Sequence, residues 1–124
     1  LSEVDHIALA RRSLSFARYA LAGTYADKAG REAYLAGFHA ASALIAARTG
    51  KSPKTHSGTR SEFARLARQE PSISAEQIGF LGWTYELKTA ADYGQDLPVP
   101  LAEAERAIAE AAQMVDAIAN ILGQ

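Results

Sequence analysis

The chain is predicted to fold as an all-α, five-helix antiparallel up-and-down bundle, and three observations carry that prediction. Apolar residues recur at alternating spacings of three and four along most of its length, the breaks between these runs carry helix-stop and helix-start signatures, and no stretch alternates as a half-buried strand does. With 124 residues, 48% hydrophobic and 22% charged, the composition suits one globular domain over residues 1–124, with room for a single core.

In the first segment Ile7, Ala10, Leu14, Ala17 and Leu21 form one apolar stripe, with Arg11, Arg12 and Arg18 off it, so an amphipathic helix should close near Gly23. Asp27 is the expected N-cap of the second helix. From Arg31 to Thr49 that helix carries Ala33, Tyr34, Leu35, Phe38, Leu44 and Ile45 around nearly its whole circumference, the pattern of a central helix. Its small residues Ala36, Gly37, Ala40, Ala41 and Ala43 would let neighbours approach closely, and Gly50 supplies the stop. Residues 50–58 are polar and rich in breakers, with Pro53 turning Ser52 away from helix, and read as a loop.

A short third helix is expected to start between Ser57 and Thr59, because Thr59-Arg60-Ser61-Glu62 fits a capping box; Phe63 and Leu66 face inward and Pro71 lies beyond its end. Ser74-Ala75-Glu76-Gln77 opens the fourth helix with a second box, and Ile73 can staple onto Ile78. That helix has two apolar stripes, Ile78, Leu81, Tyr85 and Phe80, Trp83, Leu87. One serves its own core; the other needs a further helix or another subunit, which predicts a homodimer with Phe80, Trp83 and Leu87 at the interface. After Gly94, residues 95–98 read as loop. Pro100 then sits in the first turn of a fifth helix, along which Leu101, Ala104, Ile108, Ala111, Val115, Ile118 and Leu122 hold a heptad stripe.

Composition excludes several functions. The chain has no Cys, so disulfide scaffolds, thiolate zinc sites and Cys nucleophiles are out. Net charge is −1, with 13 Lys and Arg against 14 Asp and Glu, which argues against a duplex-DNA binder acting by phosphate neutralisation. The charge is divided all the same: residues 1–70 are basic and residues 71–124 acidic, as suits self-association or a charged partner as much as ordinary solvated faces. No apolar run approaches the ~20 residues a membrane span needs. Leu1-Ser2-Glu3-Val4-Asp5 lacks a signal-peptide layout, so a cytoplasmic location is expected. Phosphate-loop, dinucleotide, nucleophile-elbow, HExxH and EF-hand patterns are absent. Glu3-Val4-Asp5-His6 has no second copy with which to complete a di-iron site, so neither a metal nor a cofactor is expected.

Three local features could carry chemistry. His39 lies in the most apolar helix, either as a buried core residue or as a reactive one. Lys54, His56 and Arg60, with the backbone N–H groups of Ser57 and Gly58, converge on a helix start, which is either a phosphate or carboxylate site or a solvated loop. Lys88, Asp92 and Tyr93 lie near the end of the fourth helix, where Lys88 and Asp92 are one turn apart on the Tyr85 face and suit an ion pair as well as a ligand.

The segments Arg31-Glu-Ala-Tyr34-Leu-Ala-Gly-Phe38-His39-Ala-Ala, Pro53-Lys54-Thr55-His56-Ser57-Gly58 and Ala90-Ala91-Asp92-Tyr93-Gly94, in this order and spacing, resemble the HEPN family (higher eukaryotes and prokaryotes nucleotide-binding), in particular its short prokaryotic single-domain members. The resemblance spans roughly residues 3–122 and is most specific in Lys-Thr-His-Ser-Gly. It implies an all-α bundle that commonly dimerises, often encoded beside a minimal nucleotidyltransferase as a toxin–antitoxin pair, with nucleotide binding by the module itself. Active toxin members are metal-independent ribonucleases with an Arg-x4–6-His motif at the dimer interface. Here Arg31 precedes His39, and Arg48 precedes His56, by eight positions, and Lys51-x4-His56 has the spacing with a lysine. The resemblance therefore implies a binding or partner module first, and as the alternative a ribonuclease with a degenerate motif, in which His39 or His56 would move the proton and Lys54 or Lys88 would stabilise charge.

Overall fold

The computed structural model describes residues 1–93 and 98–124, which form five helices: α1 Glu3–Ala22, α2 Ala26–Thr49, α3 His56–Ala67, α4 Ala75–Tyr93 and α5 Leu101–Ile121. No strand occurs among the described residues. The expected stop at Gly94 and the loop residues that follow it to Leu97 lie outside them.

α2 is the central element and packs against the other four. Its apolar circumference is buried as the pattern demands: Ala33, Tyr34, Ala36, Ala40, Ala41, Ala43 and Leu44 are all fully inaccessible. Gly37 and Gly30 form the seam with α4, where a Cβ on Gly37 would lie 2.4 Å from Phe80 Cε2 and one on Gly30 3.2 Å from Leu87. The pairing of 30 with 87 and 37 with 80 makes α2 and α4 antiparallel. Gly50 ends α2 in the left-handed region, φ 70°, where glycine avoids the Cβ penalty.

Helix boundaries depart from the sequence reading in three places, one of them Pro100, which precedes α5 as its N-cap in extended backbone rather than lying in its first turn. α2 begins at Ala26, one residue before Asp27, because backbone bonds from Gly23, Thr24 and Tyr25 back to the last turn of α1 close the connection within three residues. Asp27 instead lies in the first turn, where a carboxylate still favours the helix dipole. α3 begins at His56. Thr55, not Thr59, is its cap and accepts from Gly58 N–H at 2.9 Å, while Thr59 is buried with its hydroxyl donating to Thr55 O at 3.0 Å, and Glu62 pairs with Arg65. By contrast Ser74 and Gln77 form the predicted reciprocal box, at 3.1 and 3.2 Å. On α5 the buried stripe starts at Ala104; Leu101 is exposed, since a first-turn side chain leans past its own helix end.

α3 runs alongside α2 in the same direction, so within the five-helix bundle this pair departs from the expected up-and-down alternation. The start of α3 meets Tyr34 through His56, and Glu70, three residues past its end, meets Arg48, at 2.7 and 2.9 Å. The loop over residues 50–55 therefore doubles back along α2, and this return delivers His56 to the middle of the bundle.

Both stripes of α4 are used inside the protomer, because α4 lies on α2 with α3 and α5 on its flanks. Phe80 and Leu87 are buried against Gly37 and Gly30. Trp83 is half-buried; its indole N–H donates to Glu110 at 3.1 Å and Arg106 covers its ring at 4.3 Å. Phe80 and Leu87 are thus occupied within the protomer, while Trp83 keeps a partly exposed surface. No described helix is long and apolar enough to cross a membrane.

Candidate functional site

Where α2, the start of α3 and the second half of α4 meet, four aromatic rings cluster. Tyr34 and Phe38, one turn apart on α2, pack against the His56 imidazole at ring-centre distances of 5.7 and 4.8 Å, and Tyr85 of α4 closes the group at 5.5 Å from both Tyr34 and His56. The Tyr34 side chain is wholly buried, and its hydroxyl lies 2.7 Å from His56 Nδ1. Burial, reinforced by Tyr85, raises the Tyr34 pKa far above its ordinary value, so the phenol stays protonated.

Cations surround the rings. Arg60, one turn beyond His56 on α3, stands over the Tyr85 ring at 5.3 Å, and Lys88 approaches the same ring at 5.9 Å. Lys88 also pairs with Asp92 at 2.6 Å, the i,i+4 pair that the spacing allowed, and Arg31 Nε reaches the other Asp92 oxygen at 2.7 Å. Hydrogen bonds from Lys88 and then Arg31 lower the Asp92 pKa. Arg60 makes no ion pair among the described residues. The His56 pKa is lowered first by burial and then by Lys88 and Arg60, with Asp92 opposing, so the imidazole is neutral at pH 7.

Of the sequence candidates, His56, Arg60, Lys88 and Asp92 are thus brought together. Asp92 serves as counter-ion to two cations rather than as an open contact. Lys54, Ser57 and Tyr93 are exposed; Ser57 lies 3.4 Å from the Thr55 hydroxyl, and the Gly58 N–H assigned to an anion is taken up by the Thr55 cap. His39 lies behind the cluster, its ring edge-on to Phe38 at 5.8 Å, and burial followed by the His6 charge lowers its pKa. Tyr34, Phe38, Tyr85 and Arg31 are not site candidates in the sequence, where the i,i+4 spacing of Tyr34 and Phe38 and the shared face of Tyr85, Lys88 and Asp92 are the signals that point to them.

With this geometry in place, comparison with protein families is decisive: the HEPN domain model matches residues 4–122. The chain belongs to the HEPN domain family. Comparison with curated proteins gave no match. Within this HEPN domain, Arg31 and His39 share one helix two turns apart, about 12 Å along its axis. The arginine beside His56 is Arg60, which follows it.

Proposed function

We propose that this HEPN domain is a binding and partner module: the cluster of His56, Arg60 and Lys88 on the Tyr34 and Tyr85 rings receives the phosphate of a nucleotide, and the protein pairs with a nucleotidyltransferase-type partner in a toxin–antitoxin-like system. One observation carries the nucleotide reading. A guanidinium with no carboxylate partner among the described residues, an ammonium and an imidazole converge on one aromatic patch, and such groups complement a phosphate beside a flat base. Family membership and the chain's motif pattern support the protein partner and a homodimer; a dimer would have to use a face other than Phe80 and Leu87. Thermal midpoints measured with ATP, AMP or inorganic phosphate at millimolar concentration test the ligand. A rise lost in Arg60→Ala is expected, and midpoints that none of the three moves would contradict the reading. Light scattering at micromolar concentration tests the dimer, and co-expression with a minimal nucleotidyltransferase followed by gel filtration tests the pairing.

The ribonuclease reading draws on the same His56, which has an orienting phenol on one side and cations on the other. Degradation of RNA in EDTA, abolished by His56→Ala, would establish it in place of the binding module.

A further inference from the structure

We infer that Tyr34 is a positioning residue that holds His56 as the neutral tautomer protonated on Nε2, so that His56 offers its ligand a hydrogen-bond donor. The reasoning starts from the buried phenol. Tyr34 is fully inaccessible, and among the described residues its hydroxyl has one hydrogen-bonding neighbour, His56 Nδ1 at 2.7 Å. If Nδ1 carried the proton, it would donate to the phenol oxygen and leave the phenol O–H without an acceptor inside the core, which is costly. If the phenol donates, both groups are satisfied and the ring's one proton must sit on Nε2. That nitrogen enters no hydrogen bond among the described residues and belongs to a half-buried side chain, so it is open to a ligand.

The groups facing His56 act in the same sense. From α3 comes Arg60; from α4 come Lys88 and Tyr85, with Asp92 as the one opposing carboxylate, itself tied to Lys88 and to Arg31 of α2; from α2 comes the Tyr34 phenol. Two nearby cations and a donor aimed at Nδ1 all disfavour a second proton on the ring. Nε2–H then meets an anionic oxygen as a donor beside Arg60. It cannot serve as the proton acceptor that attack by a ribose hydroxyl needs.

The statement about the ligand rests on the proposed phosphate site; the statement about the tautomer does not, and the experiment separates them. Ring ¹⁵N–¹H correlation spectra of the full chain at pH 7 should show His56 with a bare Nδ1 and a protonated Nε2. In Tyr34→Phe, which removes the hydroxyl alone, that preference should weaken and the His56 titration should move up toward its ordinary value. Sulfate, which keeps its charge between about pH 5 and 8, is the binding probe. Its affinity for Tyr34→Phe should begin to rise at a higher pH on acidification than its affinity for the native chain. A proton on Nδ1 in the native protein overturns the inference, whether or not the variant folds, and so does a variant whose tautomer and titration match the native ones. If the native tautomer is as stated but sulfate produces no shift, the phosphate site fails and the positioning role stands.

Discussion

Replacing Gly37 with Ala inserts one methyl group at the tightest contact of the bundle. The new Cβ would lie 2.4 Å from Phe80 Cε2 and 2.8 Å from Cδ2. Carbon atoms rest at about 3.5–4.0 Å, so the ring must withdraw by about 1 Å. Phe80 is fully buried and packs edge-on against Trp83 at 6.2 Å, so the ring has nowhere to retreat without moving α4. Overpacking of this kind costs about 1–3 kcal/mol, and the severity of the overlap places it at the upper end. Alanine regains about 1 kcal/mol of helix propensity over glycine, leaving a net loss of about 2 kcal/mol. For a chain of this size the midpoint should fall by about 6–10 °C in a thermal melt followed by circular dichroism. Gly79→Ala and Gly82→Ala are the internal controls. A Cβ at either meets nothing within 4 Å, so each should raise stability by about 0.5–1 kcal/mol. A Gly37→Ala protein as stable as the native one, or stabilised like the controls, would refute the close α2–α4 seam.

Four further outcomes are expected. All three histidines are held below the ordinary imidazole value, chiefly by burial, so the unfolded chain binds more protons just below pH ~6.5 and stability should fall as pH drops through that value toward the depressed folded ones. Melts between pH 7.5 and 5.5 check this. Neither ring nitrogen of buried His6 has a partner among the described residues, so His6→Leu should flatten that dependence and leave the neutral-pH midpoint unchanged or higher. Asp92→Asn releases Lys88 and Arg31 from their shared counter-ion and should tighten sulfate binding in a titration; weaker binding would make Asp92 a ligand contact instead. Purified protein incubated with RNA and EDTA should leave the RNA intact, and cleavage abolished by His56→Ala or His39→Ala would reverse that expectation.

What the sequence revealed is what short-range periodicity can encode. The five helices, the buried circumference of α2 and the Ser74 cap follow from spacings within two turns, and so do the Lys88–Asp92 pair and the placement of Arg60 one turn after His56. The Thr59-Arg60-Ser61-Glu62 pattern points to a later start of α3, and nothing local marks Thr55, which sets the helix start at His56. The second stripe of α4 is visible as a pattern, but periodicity does not identify the neighbours that cover it: Phe80 and Leu87 meet the glycines of α2, and Trp83 stays partly exposed beside α5. The rest of the site depends on contacts across 22 and 61 residues: Tyr34 meets His56 because the loop over residues 50–55 turns back along α2, and Arg31 meets Asp92 because α4 packs antiparallel on α2. His6 lay on an amphipathic helix beside the apolar stripe, and its burial follows from the packing of α1 on α2.

The phosphate site itself is tested most directly by titrating AMP into ¹⁵N-labelled protein at low salt and following side-chain and backbone resonances. Saturable shifts centred on His56, Arg60, Lys88 and Tyr85 are expected, with affinity reduced about tenfold or more in Arg60→Ala, the loss a charge-assisted hydrogen bond produces. Shifts that do not saturate at millimolar AMP, or that gather around Lys54 and survive Arg60→Ala unchanged, would contradict the placement of a nucleotide at this cluster.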